Sequence, residues 1–147
     1  MIRYLHWINL LLFVCCLSAN AQNSYPLLLS GEERAQWYFT LERGNMTITG
    51  ICMARQTENG LVGSVVNEFG IHFFDFTCQN NRVKVRNVFP VMNKWYIRRV
   101  LRSDLRLLAA DTALKPGRRH LTISQPDSLS LQNKKYGITY SFERLIQ

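Results

Sequence analysis

Few side chains in this sequence are of the types that do chemistry. Past residue 21 there are two histidines, His72 and His120, and two cysteines, Cys52 and Cys78, twenty-six positions apart. No Cys or His pair has metal-ligand spacing. No glycine-rich phosphate loop follows a strand pattern, and no serine occupies a nucleophile-elbow motif. Asp75 and Asp104 are the best lone acids. Pairing with a nearby arginine is the more ordinary use of each than general acid–base work. His72 lies in an apolar run, where a hydrogen-bonded core histidine is expected. The expectation is a chain that is not an enzyme, with no catalytic residue, no metal and no cofactor.

Binding of an apolar ligand is a better match to the residue types. The run His72-Phe73-Phe74-Asp75-Phe76 would be a strand apolar on both faces, with Ile71 and Phe73 on one and Phe74 and Phe76 on the other. A strand wet on one side should alternate, so both faces must be covered or one must line a pocket. Nearby strands carry the small residues Gly50, Ala54 and Gly63, which leave room on a concave face. The expected cavity lining is Gly50, Cys52, Ala54, Phe74 and Phe76, with Leu101 and Leu105 from a helix. The competing reading is a filled core. Lys94, Arg98, Arg102 and Arg106 recur every four residues and form a basic surface stripe on another helix face.

The elements that position these residues follow from periodicity. From Arg34 to Val88 the period is close to two. Trp37, Phe39 and Leu41 alternate with Gln36, Tyr38 and Thr40, and Met46, Ile48, Gly50, Cys52 and Ala54 with Thr47, Thr49, Ile51, Met53 and Arg55. Gly44-Asn45, Asn59-Gly60 and Asn80-Asn81 mark turns. Strands are expected at Leu61–Phe69, Gly70–Cys78 and Arg82–Val88 after the first two. At Phe89-Pro90 the period changes, because Pro is suited to a first helical position. Val91–Ala110 then reads as an amphipathic helix with the stripe Ile97, Val100, Leu101, Leu105 and Leu108. Three more strands are expected at Arg119–Ser124, Ser128–Gln132 and Gly137–Leu145. The fold class is therefore α+β: a curved antiparallel sheet of about 8 strands, a half-open barrel, with one main amphipathic helix on its concave face. In a simple meander Cys52 and Cys78 are two strand spacings apart, about 9–10 Å. That exceeds disulfide reach, so two free buried thiols are expected.

The N-terminus has its own signature. Met1–Ala21 carries one charged residue, Arg3, then an apolar run from Ile8 to Leu17, then Ser18-Ala19-Asn20-Ala21. That order is a cleaved signal peptide with a mature start at Gln22, leaving residues 22–147 as one domain. A lipid-anchored lipoprotein is the alternative, through Cys15 or Cys16, although Val14 and Cys15 precede them where a small residue is needed. The whole chain has Lys+Arg 18 against Asp+Glu 10, a formal charge of +8. Export to the periplasm, or to the periplasmic face of the outer membrane, directs that charge to anionic lipid or envelope glycans and away from nucleic acid.

One resemblance rests on three stretches. These are Ile48-Thr49-Gly50-Ile51, then Glu68-Phe69-Gly70-Ile71-His72-Phe73-Phe74-Asp75-Phe76, then Val100-Leu101-Arg102-Ser103-Asp104-Leu105-Arg106-Leu107-Leu108. In this order they resemble the LolA/LolB-like outer-membrane lipoprotein carriers, in their small exported form. The resemblance covers roughly Tyr38 to Leu108. It implies a half-open barrel closed by helices around an apolar cavity for acyl chains. No long N-terminal helix and no second lid helix is evident, so the implied cavity is shallower. The functional expectation is an exported, non-catalytic protein that binds a lipid or an acylated lipoprotein, with a membrane surface or an envelope protein as partner. The alternative is a structural or interaction protein of the envelope, with a filled core, acting through a partner surface.

Overall fold

A computed structural model describes residues 25–29, 31–110, 117–124 and 127–145. The expected signal peptide, its cleavage site, Cys15 and Cys16 lie outside the described residues. Eight strands form one antiparallel sheet: β1 Arg34–Arg43, β2 Met46–Thr57, β3 Gly60–Val66, β4 His72–Gln79, β5 Arg82–Arg86, β6 Arg119–Ser124, β7 Ser128–Asn133 and β8 Ile138–Arg144. Their spatial order is β5-β4-β3-β2-β1-β8-β7-β6. Two meanders are thus joined at the centre by the pairing of β1 with β8, where Phe39 faces Phe142 and Leu41 faces Tyr140. The sheet curls into a half-barrel.

This order sets a task for the connection from β5 to β6, which must pass from one edge of the sheet to the other. The helix α1, Trp95–Ala109, makes the passage. At 1.5 Å per residue its 15 residues cover about 22 Å. Leu101, Leu105, Leu108 and Ala109 are buried, while Ile97 and Leu107 pack partly against the same core. The amphipathic stripe is therefore realised, with Val100 only half-buried. The helix starts later than its sequence pattern suggests. Pro90–Met92 form a single 3-10 turn, and Lys94 is extended at φ −102°, ψ 143°.

The inner face is a layer of large rings. Trp37, Phe39, Phe74, Phe76, Tyr140 and Phe142 are each no more than 2% exposed. Phe39 packs against Phe74, Tyr140 and Phe142 with ring centroids 5.3–6.5 Å apart, a spacing at which aromatic pairs attract. The segment Tyr25–Leu29, to which sequence periodicity assigns no role, also enters this core. Leu27 and Leu28 are buried, and the Trp37 indole donates to the Leu27 carbonyl at 3.0 Å. Arg144 lies over the Trp37 ring at 4.9 Å and pairs with Glu32, which ties this segment to the end of β8.

Two strand expectations need correction. Phe69 does not end a strand: Asn67–Gly70 is a turn in which the Asn67 side-chain oxygen accepts from the Phe69 and Ile71 amides at 3.0 and 2.6 Å. Nor is β4 apolar on both faces. Its register against β3 shifts, with Val65 opposite Phe74 but Val66 opposite His72. One extra residue there is a β-bulge. Phe73 and Phe74 both join the core side, the former packed against Phe89 at 6.3 Å. His72 and Asp75 both reach the outer face, where they contact each other. From Phe74 onward the alternation of buried and half-exposed residues is regular.

Candidate functional site

The residues expected to line a ligand cavity are all buried, five on the inner face of the sheet and Leu101 and Leu105 on α1. Cys52, Ala54, Phe74, Phe76, Leu101 and Leu105 are between 1 and 2% exposed, and Gly50 is buried with them. The sheet residues face inward and α1 covers them. The small residues do not leave open space as the sequence suggests. A Cβ on Gly63 would fall 2.2 Å from the Phe76 ring, so that ring already occupies its place. A Cβ on Gly50 would fall 2.3 Å from the Val66 carbonyl oxygen. Gly50 is thus a site of close backbone approach.

Polar contacts hold the helix against both rims of the half-barrel. Asp104, 0% exposed on the buried side of α1, accepts four hydrogen bonds. Arg119 Nε on β6 donates at 2.6 Å, Asn133 Nδ2 on β7 at 2.8 and 3.0 Å, and Tyr140 Oη on β8 at 2.8 Å. Burial, and then the Asp104 carboxylate, push the Tyr140 phenol well above its ordinary pKa, so it remains a donor. Toward the other rim, Arg98 donates to the Val85 carbonyl of β5 at 3.0 Å. Asp104 does pair with an arginine, as expected of it. Asp75 instead pairs with His72.

Ser64, His72 and Asp75 form a Ser-His-Asp set on the outer face. Ser64 Oγ is 3.1 Å and Asp75 Oδ1 2.7 Å from the same ring nitrogen, His72 Nε2. A catalytic triad needs the serine and the carboxylate on opposite ring nitrogens, so that one is deprotonated while the other fixes the tautomer. This set lacks that geometry. Burial alone would raise the Asp75 pKa; hydrogen bonds with Asn87, Ser64 and His72 outweigh it and hold the carboxyl below its ordinary range. His72 is half-exposed, so the core position expected for it is corrected: the bulge turns it outward.

Cys52 and Cys78 are free and buried, with β3 between their strands. Burial pushes the Cys52 thiol up to about 12 and raises Cys78 as well.

A different feature marks one end of the molecule. Phe89 N donates to Phe73 O at 2.7 Å, which places the turn before α1 beside the start of β4. Both segments carry exposed apolar side chains: Phe69 at 82% and Ile71 at 44% from one, Val91 at 73%, Trp95 at 74% and Tyr96 at 51% from the other. Periodicity did not single these out, because side chains at turns and helix starts have no period. Of the basic stripe, Lys94, Arg102 and Arg106 are exposed, and none has an ion pair among the described residues. Arg98 is half-buried and committed to Val85. No acidic residue occupies the first turn of α1. The positive end of the helix dipole and Lys94 therefore add to one positive field beside the exposed aromatics. Among the described residues no helix is long and apolar enough to cross a membrane. No family model, curated protein or solved structure matches the chain.

Proposed function

We infer that this chain is a non-catalytic lipid-binding protein of the cell envelope, meeting its lipid at the end of the half-barrel formed by the β3–β4 turn and the start of α1. One observation carries the reading. Phe69, Ile71, Val91, Trp95 and Tyr96 are exposed on two adjacent segments, with Lys94 and a helix N-terminus among them. Exposed apolar groups of this number mark interaction sites. Trp and Tyr settle at the membrane–water interface, and each basic residue near an anionic surface adds about 1 kcal/mol. The half-barrel with a helix on its concave face is also the architecture that the LolA/LolB-like resemblance implies. The export signature read at residues 1–21 supports an envelope location.

A second reading, carriage of an acyl chain inside, is favoured by the composition of the concave wall. Its side chains are apolar apart from the Asp104 cluster, and one helix together with the Tyr25–Leu29 segment covers them. On that reading α1 lifts to admit the chain, because Phe74 and Phe76 are 1% exposed with it in place.

Vesicle flotation tests the proposal. The purified chain should float with phosphatidylcholine vesicles containing phosphatidylglycerol, less with phosphatidylcholine alone, and less in high salt. Phe69→Ala with Trp95→Ala should weaken this about tenfold or more, or about 1.4 kcal/mol. Native mass spectrometry addresses the second reading, since a stoichiometric co-purifying lipid supports carriage. With neither vesicle binding nor bound lipid, both lipid readings fail. The exposed end is then a surface for a protein partner.

A further inference from the structure

The outer face of the sheet carries a second feature, independent of the lipid reading. Two adjoining spaces of about 780 and 540 Å³ lie along β2–β5 and share Val62, Thr77 and Arg86. Each is within the size range of ligand sites. Arg34 and Arg55 line one side; Arg82, Lys84 and Arg86 line the other. The three cations of β5 alternate with buried Val83 and Val85, so they share the outer face and recur about every 6.7 Å along the strand. Among the described residues none of the five has an ion pair. Arg34 and Arg55 are direct cross-strand partners, and like charges so placed are destabilising.

The space between the two sides presents polar side chains: Phe76, its one aromatic lining residue, is 1% exposed, with its ring packed against Gly63. Gln36, Ser64, Thr77, Asn59 and Asn80 line it, with Val62 and Met53 as apolar ground. Asp75 is the one acid in the lining, and its carboxylate is already taken by His72 and Asn87 at 2.7 and 2.6 Å. An occupant must therefore be anionic, extended and rich in hydroxyl groups. Single-stranded nucleic acid needs aromatic platforms on which bases stack, and the one aromatic ring in the lining, Phe76, is buried and offers no open face. A lipid surface needs a protruding apolar tip; Met53 in the groove is 39% exposed, whereas Phe69, at 82%, stands on the β3–β4 turn, at the opposite end of β3 from the Glu58–Asn59 turn that borders the groove.

We propose that the outer groove of β2–β5 binds an anionic polysaccharide, a chain of sugars bearing carboxylate or phosphate groups, between Arg34 and Arg55 on one side and Arg82, Lys84 and Arg86 on the other. The cations hold the charged substituents and the hydroxyl and amide side chains bond the sugar hydroxyls. The Arg34–Arg55 repulsion is relieved when the ligand enters.

The test is titration of the purified chain with polygalacturonate, followed by calorimetry, with neutral dextran and single- and double-stranded DNA as comparisons. Wild type should bind polygalacturonate saturably and dextran not at all. Arg55→Gln with Lys84→Gln should weaken binding about tenfold or more, equivalent to about 1.4 kcal/mol. Arg99→Gln with Arg102→Gln removes the same charge from α1 and should change affinity less than about twofold, within about 0.4 kcal/mol. Arg55→Gln alone should lower affinity while raising Tm, because it removes the like-charge pair. Equal losses in the groove and helix variants overturn the proposal, leaving only net charge. DNA binding as tight as polygalacturonate, or no saturable polygalacturonate binding at low salt, also overturns it.

Discussion

Arg119 on β6 donates through Nε to Asp104 on α1 at 2.6 Å, and this ion pair has its carboxylate wholly buried and its guanidinium partly open to water. Asn133 and Tyr140 approach the same carboxylate from β7 and β8. One helical side chain thereby holds three strands. Asp104 occurs in the apolar stripe of α1, between Leu101 and Leu105, because the stripe must face the core and the donors are there.

Asp104→Ala should destabilise the protein by about 3–5 kcal/mol, since it leaves a guanidinium and two buried donors without their acceptor. Urea unfolding with an unchanged slope reads this directly. A loss below about 1 kcal/mol would mean that water replaces the carboxylate easily, and that the helix is held by packing alone.

Leu101→Ala tests the packing side of the same helix. Leu101 is 2% exposed within the core, and its truncation should cost about 2–5 kcal/mol. A change under about 0.5 kcal/mol, typical of a surface site, would assign the wrong face to the sheet.

Gly50→Ala separates close approach from free space. The added Cβ would meet the Val66 oxygen at 2.3 Å and the Asn67 Cα at 3.2 Å, both backbone atoms. A loss of about 1–3 kcal/mol is expected, with Gly50→Leu worse. If Gly50→Leu kept the wild-type Tm, there would be room at that position after all, and carriage inside the barrel would gain support.

The thiols offer a chemical check on burial. With its pKa pushed up to about 12, Cys52 has almost no thiolate at neutral pH, and it is 1% exposed. A thiol-reactive chromophore at pH 8 should leave Cys52 and Cys78 untouched in the native protein and label both in denaturant. Rapid native labelling of Cys52 would show that α1 lifts from the sheet on that timescale.

Acid should weaken the fold through two carboxylates. Glu32 is held below its ordinary value of 4.5, chiefly by the hydrogen bond with Arg144. Asp75 is held below 3.8 by hydrogen bonds that outweigh its burial. Both folded-state values are depressed, so each contribution is present above the ordinary value and disappears as pH falls through the folded one. The urea midpoint should be flat from about pH 7 to 5 and fall below that. Glu32→Gln should reduce the fall; a slope unchanged in Glu32→Gln with Asp75→Asn would place the acid sensitivity elsewhere.

Sequence alone determined what depends on near neighbours. Alternation in β1, β2 and β5, the turn at Asn80-Asn81 and the 3.6-residue stripe of α1 all follow from side chains two to four positions apart. With those elements in chain order, the curled sheet, the helix on its concave face and the separation of Cys52 from Cys78 were legible too. Only the tertiary structure decided how far the wall is filled. Phe76 takes the place beside Gly63, and the Val66 carbonyl takes the place beside Gly50. A glycine in a strand reads the same whether it faces a void or another backbone. The bulge at Phe73 was likewise hidden, because it arises from the register between β3 and β4. That single inserted residue turns two adjacent phenylalanines inward and brings His72 and Asp75 together outside. Asp104 showed only that it needed a partner. Its donors stand 15, 29 and 36 residues away, and closure of the half-barrel over α1 brings them to one carboxylate.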